Sequence, residues 1–236
     1  MHLIGIIGAM EPEVALLRQQ INNVTTTTLG SYTFYCGSLA NVQIVLVQSG
    51  IGKVASALAT ALLIQHFKPT AVINTGSAGG FDPDLNVGDV VISTEVRHHD
   101  VDVTAFGYEI GQVPQMPAAY NAHPLLINAA EQSIQALGFC KTKKGLIATG
   151  DSFICDPARI NVIRQQFPTM LAVEMEGAAI AQVCHMLNTP FVVIRSLSDI
   201  AGKESPQSFE AYLEVASKNS SAMVLELLSR LSSVTL

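Results

Sequence analysis

Apolar residues fall along this chain in short unbroken runs, separated by stretches in which apolar side chains recur three and four positions apart. Leu3–Gly8 (LIGIIG) is such a run, the pattern of a strand buried on both faces. Met10-Glu11-Pro12-Glu13 opens a helix. Pro suits a first turn, acidic side chains suit the positive end of the dipole, and Val14, Leu16, Leu17 and Ile21 supply an apolar face. Residues 25–29, 32–36 and 42–47 read as short strands joined by turns, hence antiparallel hairpins. A helix over 53–67 leads to a strand at 71–74 and then to a loop, Gly76-Ser77-Ala78-Gly79-Gly80. Two strands are predicted at 90–93 and 95–101, then a long loop over 102–119. Loops of that length inside a compact domain usually carry function. A helix at 124–137, a strand at 145–149, a helix at 157–167, a strand at 171–173, a helix at 177–187, a strand at 191–195 and one or two terminal helices follow.

This alternation predicts an α/β fold: one domain over 1–236, a three-layer αβα sandwich with a mixed central sheet flanked by helices. No linker, repeat or low-complexity segment interrupts it.

Composition narrows the function. Hydrophobic residues make up 49% of the 236, enough for a large core, but charged residues only 14%. An average globular protein carries roughly 25%. The shortage predicts apolar surface that a partner subunit covers. A net charge of −6, with no basic run longer than Lys143-Lys144, argues against nucleic acid and anionic membrane as partners. The four cysteines, Cys36, Cys140, Cys155 and Cys184, have neither C-x-x-C nor zinc spacing and are expected as buried free thiols in a reducing compartment. The start, Met1-His2-Leu3-Ile4, has no Lys or Arg before Arg18 and no A-x-A site, so it reads as a strand and not as a signal peptide. The apolar stretch 54–64 is shorter than the roughly 20 residues a membrane span takes. A cytoplasmic protein is expected.

The polar residues are placed in a pattern. Strand after strand ends in a polar or Gly-rich cluster: Ser49-Gly50-Ile51-Gly52, Thr75-Gly76-Ser77, Thr149-Gly150-Asp151, Glu174-Met175-Glu176 and Arg195-Ser196-Leu197-Ser198-Asp199. The carboxyl ends of parallel strands gather at one crevice, where ligands bind. Any one cluster could be only a solvated βα loop. Five of them, with Glu13 after the first strand, point to an active site.

In this order the segments Gly5–Glu13, Ser49–Val54, Asn74–Gly80, Ala172–Ala179 and Arg195–Asp199 resemble the bacterial 5′-methylthioadenosine/S-adenosylhomocysteine nucleosidases, within the purine nucleoside phosphorylase superfamily. The likeness covers nearly the whole chain, including the loop Asp102–Tyr108. It implies hydrolysis of the bond between adenine N9 and ribose C1′ in methylthioadenosine, S-adenosylhomocysteine and 5′-deoxyadenosine, a reaction of methionine salvage. No cofactor and no metal are implied.

Such chemistry needs a general acid for adenine N7 and a general base for water on the other face of an oxocarbenium-like sugar. Two carboxyl groups in opposite protonation states meet that need. The resemblance makes Asp199 the acid, oriented by Ser198, and Glu13 the base, with Arg195 and Ser77 holding Glu13 or the water. Glu176 accepts hydrogen bonds from the ribose 2′- and 3′-hydroxyls, with Glu174 and Met175 beside it. Phe153 stacks on adenine and the Ile154 backbone reads its edge. Met10, Ile51, Met175 and Phe209 line the sugar and alkylthio pocket. Val103, Phe106 and Pro114 reach into the partner's pocket in a homodimer.

Taken singly, each residue has a plainer explanation. Glu13 could be a dipole partner, Glu174 and Glu176 alternating exposed residues, Asp199 a turn cap, and Met10, Met175 and Phe209 core. A phosphorylase would share the crevice but needs cations for phosphate, and its superfamily members carry Arg in the segment where this chain has Glu13. A nucleoside-binding protein without catalysis would keep the pocket and lose an acid or base. Other motifs fail on spacing. Gly50-Ile51-Gly52-Lys53 lacks the Gly and Ser/Thr of a phosphate loop, and the glycines at 76–80 lack dinucleotide spacing. His98-His99-Asp100 would put adjacent side chains on opposite faces of a strand, which disfavours a metal.

Overall fold

A computed structural model describes residues 3–201 and 205–232. Ten strands form one mixed sheet: β1 Leu3–Gly8, β2 Asn22–Leu29, β3 Tyr32–Leu39, β4 Val42–Gln48, β5 Ala71–Gly80, β6 Val90–His98, β7 Tyr120–Asn121, β8 Thr142–Thr149, β9 Met170–Glu174 and β10 Phe191–Ile200. The helices are α1 Glu11–Arg18, α2 Lys53–Phe67, α3 Pro124–Leu137, α4 Pro157–Gln166, α5 Gly177–Met186 and α6 Ser205–Leu231.

The sheet is mixed and flanked by helices, as the alternation predicts. It also curls. From β1 the path runs outward through parallel β4 to the antiparallel ribbon β3–β2, the hairpins expected from residues 25–47. In the other direction β5 pairs with β10 along its length and with β9 at its tip, while β10, β6, β8 and β9 are linked in turn. Five strands thereby close a ring. The tips of β5 and β9 overlap antiparallel, Gly79 opposite Val173 and Gly80 opposite Ala172, so the carboxyl ends converge on the crevice from two directions.

Local sequence explains most elements. β1 is buried from Ile4 to Gly8, as a central strand between two parallel neighbours must be. Pro lies in the first turn of α1, α3 and α4, where its missing N–H costs nothing. α3 ends on Gly138 and α2 on Lys68, both left-handed. The apolar faces of α1, α3 and α6 pack on β1, β5, β6 and β10 through Val14, Leu17, Leu126, Ile134, Val224, Leu227 and Leu228.

Four expectations need correction. The segment 76–80 is the second half of β5 and not a loop, because β10 continues beside it as far as Ile200. β10 correspondingly runs five residues past the predicted end at Arg195. Residues 90–93 and 95–98 form one strand, interrupted only by a bulge between Ser93 and Glu95. Of the cysteines only Cys184 is buried; Cys36 and Cys140 are half-buried and Cys155 is exposed, all four free of disulfides. Met1 and His2, the start of the segment weighed as a signal peptide, lie outside the described residues. Among the described residues no helix is long and apolar enough to cross a membrane.

Candidate active site

A cavity of about 380 Å³ opens where β1, β5, β9 and β10 end. Its walls include Ala9, Met10, Glu13, Ile51, Ser77, Gly79, Phe153, Glu174, Met175, Glu176, Ser198, Asp199 and Phe209. Of the residues predicted for the site, Ile154 lines a small annex shared with Phe153 and Asp199. Arg195 lies behind the wall. Val103, Phe106 and Pro114 do not line the cavity of their own chain.

Asp199 reaches the cavity because of a bulge. Leu197 pairs with Ala78, but the next pair on β5, Gly79, stands opposite Asp199, so Ser198 is the extra residue. In a regular strand Asp199, two residues on from Leu197, would share its face, which is wholly buried in the core; the bulge turns the carboxyl to the other face. The Ser198 hydroxyl donates to Asp199 Oδ1 at 3.1 Å. Gly79 makes room, since a Cβ there would stand 3.2 Å from Asp199 Oδ2.

Glu13 enters from the first turn of α1 and is 1% exposed. Burying a carboxylate requires hydrogen bonds, and four donors serve it. Ala9 N and Met10 N donate to Oε2 at 2.8 and 3.0 Å, and Ser77 N and Oγ donate to Oε1, both at 3.0 Å. A dipole partner at a surface helix end would be solvated, and this one is not. A Cβ on Gly76 would collide with both the Arg195 guanidinium and Glu13 Oε1. That is why glycine stands there inside a strand.

Glu174, Glu176 and Arg195 form the third wall. Their side chains are 2%, 6% and 1% exposed, so they are not the alternating exposed residues of a strand end. The Glu174 carboxylate accepts from Arg195 Nη2, Thr149 Oγ1, Glu176 N at 3.0 Å and Gly177 N at 2.7 Å. It is fully occupied by the protein. Arg195 Nη2 also donates to Asn74 Oδ1 at 2.7 Å, and Asn74 is itself held by donation to Ile7 O at 3.0 Å. Arg195 Nη2 stands 3.6 Å from Glu176 Oε2. Burial pulls the guanidinium pKa down, but the charges of Glu174, Glu176 and Glu13 outweigh it and hold Arg195 above its usual value. Glu176 differs. Its Oε1 accepts from Gly52 N at 2.9 Å, and burial, reinforced by the Glu174 charge, pushes its pKa up to about 7. Its remaining acceptor capacity faces the cavity.

On the apolar side, Phe153 and Phe209 meet edge to face with ring centroids 5.9 Å apart. Met10, Ile51 and Met175 complete a surface of hydrocarbon and thioether. No Lys, Arg or His among the described residues lines the cavity. His98 and His99 are buried, and the described residues contain no group of His, Cys, Asp and Glu arranged to hold a metal. Asn74 and Thr149, which anchor the buried ions, were not singled out from sequence. The signal for Thr149 was the polar cluster Thr149-Gly150-Asp151, and that for Asn74 was only its place in the family segment Asn74–Gly80.

Residues 3–229 match the family model of the phosphorylase superfamily. The chain belongs to that superfamily and, within it, to the 5′-methylthioadenosine/S-adenosylhomocysteine nucleosidases. A protein of that description from Pseudoalteromonas translucida is 70% identical over 233 residues, 99% of each chain. The crystal structure of the Neisseria meningitidis nucleosidase in complex with methylthio-immucillin-A superposes with a TM-score of 0.95, at 48% identity over 98% of this chain and 100% of the other. That from Colwellia psychrerythraea, in complex with adenine, gives 0.95 at 58% identity, over 98% and 96%.

Proposed function

We propose that this protein hydrolyses the N-glycosidic bond of 5′-methylthioadenosine and S-adenosylhomocysteine, and of 5′-deoxyadenosine, releasing adenine and the 5′-substituted ribose. The observation that carries the reading is that Asp199 of β10 and Glu13 of α1, facing different glycines of β5, open onto one cavity beside Glu176.

Adenine leaves poorly as an anion. Asp199 donates a proton to N7 as the C1′–N9 bond breaks, with Ser198 fixing its rotamer. Phe153 stacks on the purine ring and the Ile154 backbone hydrogen-bonds its edge. Glu176 takes the ribose hydroxyls, and Arg195, buried and triply engaged, holds Glu174 and the Glu176 loop in place without touching the sugar. Met10, Ile51, Met175 and Phe209 receive the apolar 5′ substituent.

Glu13 activates the water. Both of its oxygens are filled by protein donors, so one donor must yield before water can donate. Three are backbone N–H groups fixed by the fold; the fourth, the Ser77 hydroxyl, is a side-chain group whose O–H can turn to another acceptor. Ser77 therefore hands its place on Oε1 to the nucleophile.

Hydrolysis is favoured over phosphorolysis because the cavity wall carries no cation among the described residues, and a carboxylate at Glu13 repels phosphate. The test is incubation with methylthioadenosine in phosphate-free buffer. Free adenine and free sugar are expected; an absolute need for phosphate, with sugar-1-phosphate as product, overturns the reading.

The proposed enzyme is a homodimer in which Val103, Phe106 and Pro114 complete the partner's pocket. The part of the loop that bears Val103 and Phe106 is closed at its base by Gly111 N donating to Val101 O at 2.8 Å and stiffened by Asp102 accepting from Thr104. It holds Phe106 in a 3₁₀ turn, 82% exposed, and Ile51, Val54 and Leu58 are exposed as well. Ordered apolar surface of this kind fits a subunit contact. Four unpaired thiols fit the cytoplasm.

A further inference from the structure

Three charged residues outside the cavity wall form a closed cycle at the point where the site's loops meet. Lys53 Nζ donates to Asp100 Oδ1 at 2.7 Å, Asp151 N donates to Asp100 Oδ2 at 3.0 Å, and Lys53 N donates to Asp151 Oδ1 at 2.8 Å. Each belongs to a different functional segment. Lys53 opens α2 directly after the turn at 49–52, Asp151 begins the segment that carries Phe153 and Ile154, and Asp100 precedes the loop at 102–119. The cycle bears directly on Gly52. That residue has φ of +94°, and a Cβ on it would stand 3.0 Å from Asp151 Oδ1, so the carboxylate packs against a backbone only glycine adopts readily. The N–H of Gly52 is the donor to Glu176 Oε1.

We propose that Lys53, Asp100 and Asp151 act together as a positioning clamp that sets the Gly52 N–H against Glu176 and so fixes the acceptor that selects ribose over 2′-deoxyribose. The proposal rests on the reading of Glu176 as the group that binds the ribose hydroxyls. An isolated exposed ion pair would contribute little. Here the Lys53 and Asp100 side chains are only 23% and 19% exposed, and both carboxylates also accept backbone N–H groups, so the clamp fixes main chain and not only side chains. Cutting it at Asp151 removes the tie between the turn at 49–52 and the segment at 151–154, cutting it at Lys53 Nζ frees the Asp100 carboxylate that anchors Asp151 N, and either way the Glu176 carboxylate loses its registered donor. An acceptor free to rotate still receives a substrate but no longer holds the 2′-hydroxyl in a defined geometry.

The test compares kcat/KM for methylthioadenosine and its 2′-deoxy counterpart in Lys53→Met, Asp151→Ala, Lys53→Arg, Asp151→Asn and Glu176→Gln. Lys53→Met and Asp151→Ala are expected to lower kcat/KM for the ribonucleoside roughly tenfold, mainly through KM, the size of a lost hydrogen bond to a charged group. The 2′-deoxy substrate is spared, so the ratio between the two collapses. Lys53→Arg keeps the cation and Asp151→Asn keeps an acceptor, and both retain the ratio. Should Lys53→Met not fold, Asp151→Ala carries the same test. A parallel loss on both substrates, or an unchanged ratio, overturns the clamp provided that Glu176→Gln collapses the ratio. If Glu176→Gln itself leaves the ratio intact, the reading of Glu176 fails first.

Discussion

At the carboxyl ends of β5, β9 and β10 the interior holds four carboxyl groups and a guanidinium, Glu13, Glu174, Glu176, Asp199 and Arg195, none more than 7% exposed. Some distance along the chain, the loop at 102–111 and the first turns of α2 do the opposite: Phe106 and Val54 are 82% and 81% exposed. Charge buried and hydrocarbon exposed are each unfavourable for an isolated chain. The two regions meet this problem differently. The crevice is self-sufficient: backbone N–H groups, Asn74, Thr149 and opposite charges serve its ions, and glycines at 76 and 79 give them space. The loop is stiffened at its base but leaves its tip exposed among the described residues, as the proposed subunit contact requires. The crevice therefore owes its geometry to the fold, whereas the loop's exposed tip is the surface that the proposed dimer would cover.

The largest effect is expected where the crevice does chemistry. Asp199→Asn keeps the shape and removes the transferable proton, so kcat should fall roughly 10²–10⁴-fold with little change in melting temperature. Steady-state assay beside a thermal melt checks both; full turnover would remove Asp199 from its role. Glu13→Gln is expected to lose as much rate and also stability. Whichever way its amide turns, an NH₂ group faces two donors, a cost of about 1–3 kcal/mol. Arg195→Met tests self-sufficiency directly, because Glu174 would keep its charge in the interior without a counter-ion. About 3–5 kcal/mol of stability should be lost. Denaturant unfolding that shows less than 1 kcal/mol would mean that the ion network is not what holds the crevice.

The same contrast governs what could be read from the chain. Helix 124–137 coincides with its predicted bounds because periodicity, Pro124 and Gly138 all agree there, and helix 53–67 because Gly52 and Pro69 bracket an apolar run without breakers. β5 and β10 were cut short at Asn74 and Arg195, because polar residues inside a buried strand contradict the apolar pattern that defines one. Those polar residues are the site itself, so the rule fails where function overrides it. The bulges at Ser93/Glu95 and Leu197/Asp199 have no signature in a single sequence. Five polar clusters and the family resemblance pointed to Glu13, Glu176 and Asp199. The tie from Lys53 to Asp100 and Asp151 was not legible, because it joins segments 47 and 98 residues apart.

On the side of the loop, Phe106→Ala should leave the crevice intact and weaken binding of alkylthio nucleosides by roughly 10–100-fold, the worth of one buried Phe. Affinity for adenine, which has no 5′ substituent, should hardly change. Sedimentation velocity supplies the other half of the test: a fully active monomer would detach the loop from the pocket and leave its exposed ring without an explanation.

The smallest effect should come from Glu176, the one group where the two regions' physics overlap, buried by the fold yet left with acceptor capacity for a guest. Glu174 and Glu13 face it as like charges, and Arg195 and the Gly52 N–H face it as stabilisers of its anion. With burial the largest influence, its pKa is raised from 4.5 to about 7. A raised value means that the neutral form fits the empty protein, so this group's contribution to stability is complete below pH 4.5 and is lost as pH rises through about 7. Binding runs the other way, because the ribose hydroxyls are donors and prefer the carboxylate. Affinity for a non-hydrolysable nucleoside should therefore fall several-fold as pH drops from about 8 to 6, while that for adenine, which lacks the hydroxyls, keeps no such limb. Glu176→Gln should be flat in both respects. If the nucleoside and adenine titrate in parallel, the ionisation seen belongs to the purine side of the cavity and not to Glu176.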